Sequence, residues 1–209
     1  SGFEDILGID PYLRCRMVAK KLYGIKVVNG YFSEFKSKEK FGLIIMTGVL
    51  EHLCNLNETL NKVSDLLKDN GLLMIVVPDV DKFNKNPRAP FEEFSLEHIN
   101  FYNKNSLNNL MGNHNFKNIY SKNMAAKFYD SNSRISFFKK ERKKNKIKKD
   151  MCGYLAIARY ISASRNKLTG VERKIDYLIS SMSKVVIWGA GSLTSRLLAT
   201  SNLLKTNIM

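Results

Sequence analysis

Residues 41–79 read FGLIIMTGVLEHLCNLNETLNKVSDLLKDNGLLMIVVPD, and their pattern decides the fold class. Phe41 to Met46 is an unbroken apolar run, as a strand buried on both faces of a parallel sheet requires. Between Asn55 and Lys68 the apolar residues Leu56, Leu60, Val63 and Leu67 recur at helical spacing. Asn55 and Glu58 resemble a capping box at the start, and Asn70-Gly71 is expected to end the helix. Leu72 to Val77 is a second buried strand, stopped by Pro78-Asp79. Strand, helix and strand in this order make one β-α-β unit of a parallel sheet.

The same alternation extends outward. Asp5 to Asp10 is a short apolar run ending in an acid, and Pro11 opens a helical pattern with Leu13, Met17 and Leu22 on its inner side. Ile25 to Val28 reads as a strand. After a long loop, Val80 to Glu97, a helix is expected from Ser106 to His114, with Leu107, Leu110 and Met111 on one face. Strands are expected near Ile119 and at Tyr154 to Tyr160. The whole predicts an α/β fold with a doubly wound, mostly parallel sheet, which places ligands at the carboxyl ends of the strands. Those ends are Asp10, the region of Phe32, Thr47 to His52, and Asp79. Leu168, Val171, Ile175, Leu178 and Met182 form a heptad-like stripe on a helix that links this domain to the next. Val185 to Trp188 followed by Gly189-Ala190-Gly191-Ser192 begins a second strand-turn-helix. The expected division is therefore 1–162, a linking helix over 163–183, and the start of a second α/β domain over 184–209.

A content of 44% hydrophobic residues, with aromatics making up 11% of the chain, suffices for a packed core. No apolar run spans a bilayer and the amino-terminal stretch lacks the pattern of a secretory signal, so a cytoplasmic protein is expected. Cys15, Cys54 and Cys152 are scattered, with no C-x-x-C pair, and are expected to be reduced and buried. The net charge of +15 raises nucleic acid as a partner, but Lys139 to Lys149, KKERKKNKIKK, carries eight basic residues against one acid and so supplies +7 of it. A charge run of this kind reads first as a solvated face, so nucleic acid is not the expected partner.

Residues 41–79, with VLEHL ahead of a helix, a glycine turn and a strand ending in Pro-Asp, resemble the fourth-to-fifth-strand region of class I S-adenosylmethionine-dependent methyltransferases. ILGIDP is similar to the family's second strand, and EHINFYNKNSLNNLMGNHNFKNI resembles the stretch after its fifth; the likeness covers roughly residues 5–161. VVIWGAGS resembles, over a short stretch, the domain behind the catalytic one in sugar C-methyltransferases. The family's first strand and glycine-rich loop would precede Ser1, and Gly42 stands where the family often has an acid. The resemblance implies S-adenosylmethionine as cofactor and a small-molecule acceptor, with a nucleotide-linked sugar as one class. It puts the cofactor beside Asp10, Phe32, Thr47, Gly48, Val49 and His52.

Single residues carry two readings each. Asp10 before Pro11 suits a helix cap, and as the acid ending a strand it suits two ribose hydroxyls. Phe32 suits an adenine face or the core. Glu51 and His52, if they begin an α-helix, project about 100° apart and do not both face the cofactor. His98 is the candidate base for the acceptor, with Tyr102 as a second, while Glu97 points away from His98 if the segment is extended. His114 reads as a surface residue. Methyl transfer from a sulfonium rests on alignment and exclusion of water, and no metal is expected. Two other classes remain open at this point. One is a basic RNA-binding module or RNA methyltransferase; the other is a nicotinamide-dependent oxidoreductase using Gly189-Ala190-Gly191 as its phosphate turn.

Overall fold

The structure, a computed structural model, describes residues 5–85, 89–125, 132–141, 147–180 and 184–208. Residues 142–146 of the basic run, and Met182 of the apolar stripe, lie outside the described residues. The first unit opens with β1 (Leu7–Asp10), α1 (Leu13–Tyr23) and β2 (Lys26–Asn29), the two strands pairing in parallel. β3 (Phe41–Thr47), α2 (Leu56–Leu66) and β4 (Leu67–Pro78) follow as the expected β-α-β unit. α3 (Lys104–Asn113), β5 (Phe116–Ala125) and β6 (Asn132–Lys140) complete a four-stranded sheet of order β3-β4-β6-β5. β6 runs antiparallel to both neighbours, so the fold is α/β as expected but its sheet is mixed.

The core forms where α2 and α3 cover the sheet. Leu60, Val63 and Leu66 of α2 are buried, and Leu60 and Val63 share a core with Leu73, Ile75 and Val77 of β4 together with Leu107 and Met111 of α3. Each such side chain contributes about 1.5–3 kcal/mol relative to exposure. α1 behaves differently: Leu13, Met17 and Leu22, expected on an inner face, are exposed. The helix packs chiefly on β2 and β1, and a two-stranded ribbon is too narrow to cover an apolar stripe.

Three further expectations are corrected. Asn70-Gly71 does not end α2, whose cap is Leu67; it lies in an irregular stretch of β4, where pairing jumps from Phe41↔Leu67 to Leu43↔Leu72. Tyr154 to Tyr160 is not a strand but part of α4 (Met151–Ile179): Gly153, Tyr160, Ser164 and Leu168 are buried along one helical stripe, and Tyr160 packs with Val80 and Phe83. The three cysteines are exposed rather than buried. His114, half-buried, joins α3 to α2 by hydrogen bonds of Nδ1 to Asn61 and Nε2 to Asn57, at 3.1 and 3.0 Å.

Beyond α4, β7 (Lys184–Val185) pairs in parallel with β8 (Asn207–Ile208), and α5 (Ser192–Thr200) lies between them. The strand expected to run to Trp188 stops at Val185, and Trp188 is fully exposed. α5 reaches back to the first unit: Arg196 donates to the carbonyl of Pro90 at 2.9 Å and lies over the Phe91 ring. Among the described residues no helix is long and apolar enough to cross a membrane.

Candidate functional site

The carboxyl ends of β1, β2, β3 and β4 carry the candidate residues. At the end of β1 the half-buried Asp10 accepts the Tyr12 backbone N–H through Oδ1 at 2.8 Å. The helix cap itself is Tyr12, so Asp10 forms a local turn ahead of the helix rather than capping it. Asn29 at the end of β2 donates to the carbonyls of Asp10 and Pro11, which ties the two strand ends together. Gly30, the next residue, has φ 154°, and Gly48, just after β3, has φ 62°; both conformations favour glycine. Thr47, Gly48 and Val49 are exposed, and the Gly48 N–H is held by the carbonyl of Val76 at 3.1 Å. Phe32 packs against the core, while Lys62 lies over its ring and donates to its carbonyl at 2.7 Å.

Glu51 and His52 sit on a 3-10 turn, Leu50–His52, not on the start of an α-helix. Their divergence by an α-helical step therefore does not apply. Glu51 turns inward and is only 3% exposed, His52 is half-buried, and the His98 ring stands edge-on to that of His52 with centroids 4.8 Å apart. Glu51, His52 and His98 each place one donor atom within 4.8 Å of the other two. The two segments are stitched together: the N–H groups of Ile99 and Asn100 both donate to the Glu51 carbonyl at 3.0 Å, and Asn100 Nδ2 donates to the Leu53 carbonyl at 2.8 Å. Glu97 does act on a histidine, but through its backbone: its carbonyl is 2.9 Å from Nδ1 of His52. A carbonyl only accepts, so Nδ1 carries the proton and Nε2 the lone pair.

Tyr102 is buried, and its hydroxyl has no hydrogen-bond partner among the described residues. Burial first, and the Glu51 carboxylate second, push its phenol well above the ordinary tyrosine range. It holds its proton at neutral pH, which makes it a donor to a neighbouring oxygen rather than a base. Asp79, expected near the site, is consumed structurally. Its fully buried carboxylate accepts from Arg134 at 2.6 Å and from Asn123 at 2.9 Å, and the Val80 N–H beside it bonds the Tyr102 carbonyl. Neither Arg134, on β6, nor Asn123, on β5, was suggested by the sequence; β6 has a polar, basic pattern that hides a strand. Glu93 was missed as well: burial, and then the charge of Glu92, raise its carboxyl to about 7.

The residues present fit one side of the cofactor that the resemblance implies. A carboxylate at the end of β1 can accept from a ribose diol. The left-handed Gly48 brings bare backbone to the end of β3, where a Cβ would be strained and would reach Glu51 Oε1 at 4.0 Å. That lets a flat ring approach closely.

Comparison with known proteins bears on this arrangement. Comparison with curated protein sequences gives no match. Among solved structures the chain is similar to the 1,6-didemethyltoxoflavin-N1-methyltransferase of Burkholderia thailandensis, with a TM-score of 0.50 and 14% identity over 65% of this chain. It spans 60% of that enzyme's length. A SAM-dependent methyltransferase from Methanosarcina mazei gives a TM-score of 0.52 at 13% identity, covering 65% of this chain and 81% of that one. One from Clostridium acetobutylicum gives 0.51 at 11%, covering 66% and 76%. At these identities the likeness speaks for the fold. A family model described as "Methyltransferase domain" matches residues 1–121, more than half of the 209 residues, and the chain belongs to that family.

Proposed function

We propose that the protein is a cytoplasmic S-adenosylmethionine-dependent methyltransferase acting on a small molecule, with a nucleotide-linked sugar as the acceptor class. The observation that carries this reading is the coincidence of the family match over residues 1–121 with a row of candidate residues along the carboxyl ends of the parallel strands. The cofactor supplies a methyl group already made electrophilic by its sulfonium. The protein's part is to align the acceptor with that methyl, keep water out and take a proton from the acceptor. Asp10 holds the ribose hydroxyls, Thr47, Gly48 and Val49 line the cofactor, and His52 and Phe32 support that wall. His98 takes the proton from an acceptor hydroxyl or from a carbon beside a keto group. Tyr102 keeps its own proton and donates from the core side. Residues 184–208 form a second, small α/β unit.

The test is proton exchange. With a keto-sugar nucleotide in deuterated water and S-adenosylhomocysteine bound, the acceptor carbon should exchange its proton with wild-type protein and lose at least tenfold in rate with His98→Gln. Exchange at the wild-type rate in that variant would remove His98 from the chemistry. Failure of the protein to bind S-adenosylhomocysteine in calorimetry would overturn the reading as a whole.

A further inference from the structure

We propose that Glu51, His52 and His98 form a binding site for one divalent first-row transition ion. Two imidazoles and one carboxylate are the donor set that zinc, cobalt, iron and their neighbours select, whereas magnesium and calcium prefer oxygen alone. Three observations lead there. The first is proximity: one donor atom from each residue lies within 4.8 Å of the other two. Two donors on one ion at about 2.1 Å stand roughly 3–3.5 Å apart, so closure needs a shift of about an ångström that side-chain rotation supplies.

The second observation is an unmet demand. Glu51 is 3% exposed, yet its Oε2 has no hydrogen-bond partner among the described residues. A buried carboxylate oxygen without a donor or cation is a costly state, and an ion at this point removes the cost. The third is preorganisation. The Glu97 carbonyl fixes the proton of His52 on Nδ1, which leaves the Nε2 lone pair for an ion, the arrangement that metal-binding histidines share. The backbone bonds from Ile99 and Asn100 to the Glu51 carbonyl hold the segment carrying His98 against the turn carrying the other two donors.

Three protein donors leave coordination positions open, so an oxygen of a bound small molecule can complete the shell. The sequence alone points away from such a site, since a reaction at a sulfonium needs no metal. An ion and an acceptor proton compete for the same lone pair of His98, so His98 serves as the base only in the ion-free protein, and ion binding is tested without methyl transfer.

The protein, stripped of metal by a chelator, is titrated with Co²⁺ while its visible absorption is followed, and then with Zn²⁺ in competition. One ion per chain is expected, with absorption bands of nitrogen and oxygen ligation that Zn²⁺ abolishes. Glu51→Gln, which keeps the side-chain volume, and His98→Ala should each weaken Co²⁺ binding at least tenfold. His114→Ala, which removes a histidine bonded to Asn57 and Asn61 and outside the group, should leave it unchanged. Circular dichroism confirms that each variant is folded; should His52→Ala unfold through loss of its bond to Glu97, the other two variants carry the test. Absence of stoichiometric binding overturns the proposal, as does binding that Glu51→Gln and His98→Ala leave intact. S-adenosylhomocysteine calorimetry on the stripped protein reads the methyltransferase assignment separately.

Discussion

Nη2 of Arg134 stands 2.6 Å from Oδ2 of Asp79, so the buried carboxylate just beyond β4 is neutralised by a cation on the antiparallel strand beside it. Both side chains are out of water, at 9% and 0% exposure. Removing one partner leaves the other charge buried and unpaired. Asp79→Ala or Arg134→Met alone should therefore lower stability by about 3–5 kcal/mol, while replacing both with apolar residues of similar volume should cost far less. Urea unfolding of the two single variants and the double variant measures this, and single variants as stable as wild type would show the pair to be idle.

Gly71 has no room for a methyl group. A Cβ there would stand 2.7 Å from Leu67 Cγ, 2.9 Å from the Lys68 carbonyl oxygen and 3.1 Å from that of Phe41. Two of these neighbours are backbone and cannot rotate away. Gly71→Ala should destabilise by about 1–3 kcal/mol through overpacking. Gly42→Ala, with nothing within 4 Å of the new carbon, should be neutral within about 0.5 kcal/mol. Equal midpoints for the two variants in denaturant would contradict the crowding at Gly71.

Glu93 gives stability a pH dependence of definite sign. Its carboxyl rises from an ordinary value of 4.5 to about 7, first through burial and then through Glu92. The folded state thus favours the protonated acid. Its contribution is complete below the unfolded value and is lost as pH rises through the folded one. Because the side chain is only partly buried, the loss between about pH 4.5 and 7.5 should be roughly 1–2 kcal/mol after solvent screening. Unfolding free energies of wild type and Glu93→Gln across that range check it: the variant should lose most of the decline.

The central β-α-β unit was legible because unbroken apolar runs and helical spacing identify its two strands and its helix, though not the end of that helix at Leu66. β6 was not legible, since Arg134, its third residue, is buried against Asp79, 55 positions earlier in the chain. Tyr154 to Tyr160 misled for the opposite reason: a short apolar run does not separate a strand from a helix, and only the stripe continuing to Leu168 decides it. In the site, Asp10, Gly48 and His98 were legible as strand-end or loop residues. The grouping of Glu51 with both histidines was not, because it depends on a 3-10 turn and on backbone bonds from Ile99 and Asn100 that carry no sequence signature.

Asp10 offers the sharpest link between single residue and proposed function, because its two roles place different demands on one carboxylate. Its Oδ1 accepts the Tyr12 N–H, a local bond that an asparagine carbonyl also makes. Ribose binding instead needs two acceptor oxygens, and the charge strengthens both contacts. Asp10→Asn keeps the turn while turning one acceptor into a donor amide. The melting temperature of the unliganded variant should barely move, whereas its affinity for S-adenosylhomocysteine should fall by about 1.5–3 kcal/mol, roughly ten- to a hundredfold. Asp10→Ala should lose the turn bond as well, at a cost of about 0.5–1.5 kcal/mol of stability. Calorimetry and thermal unfolding on both variants separate the cases. If Asp10→Asn binds like wild type and only Asp10→Ala melts earlier, Asp10 serves the turn before α1 alone, and the ribose contact must be sought elsewhere along the strand ends.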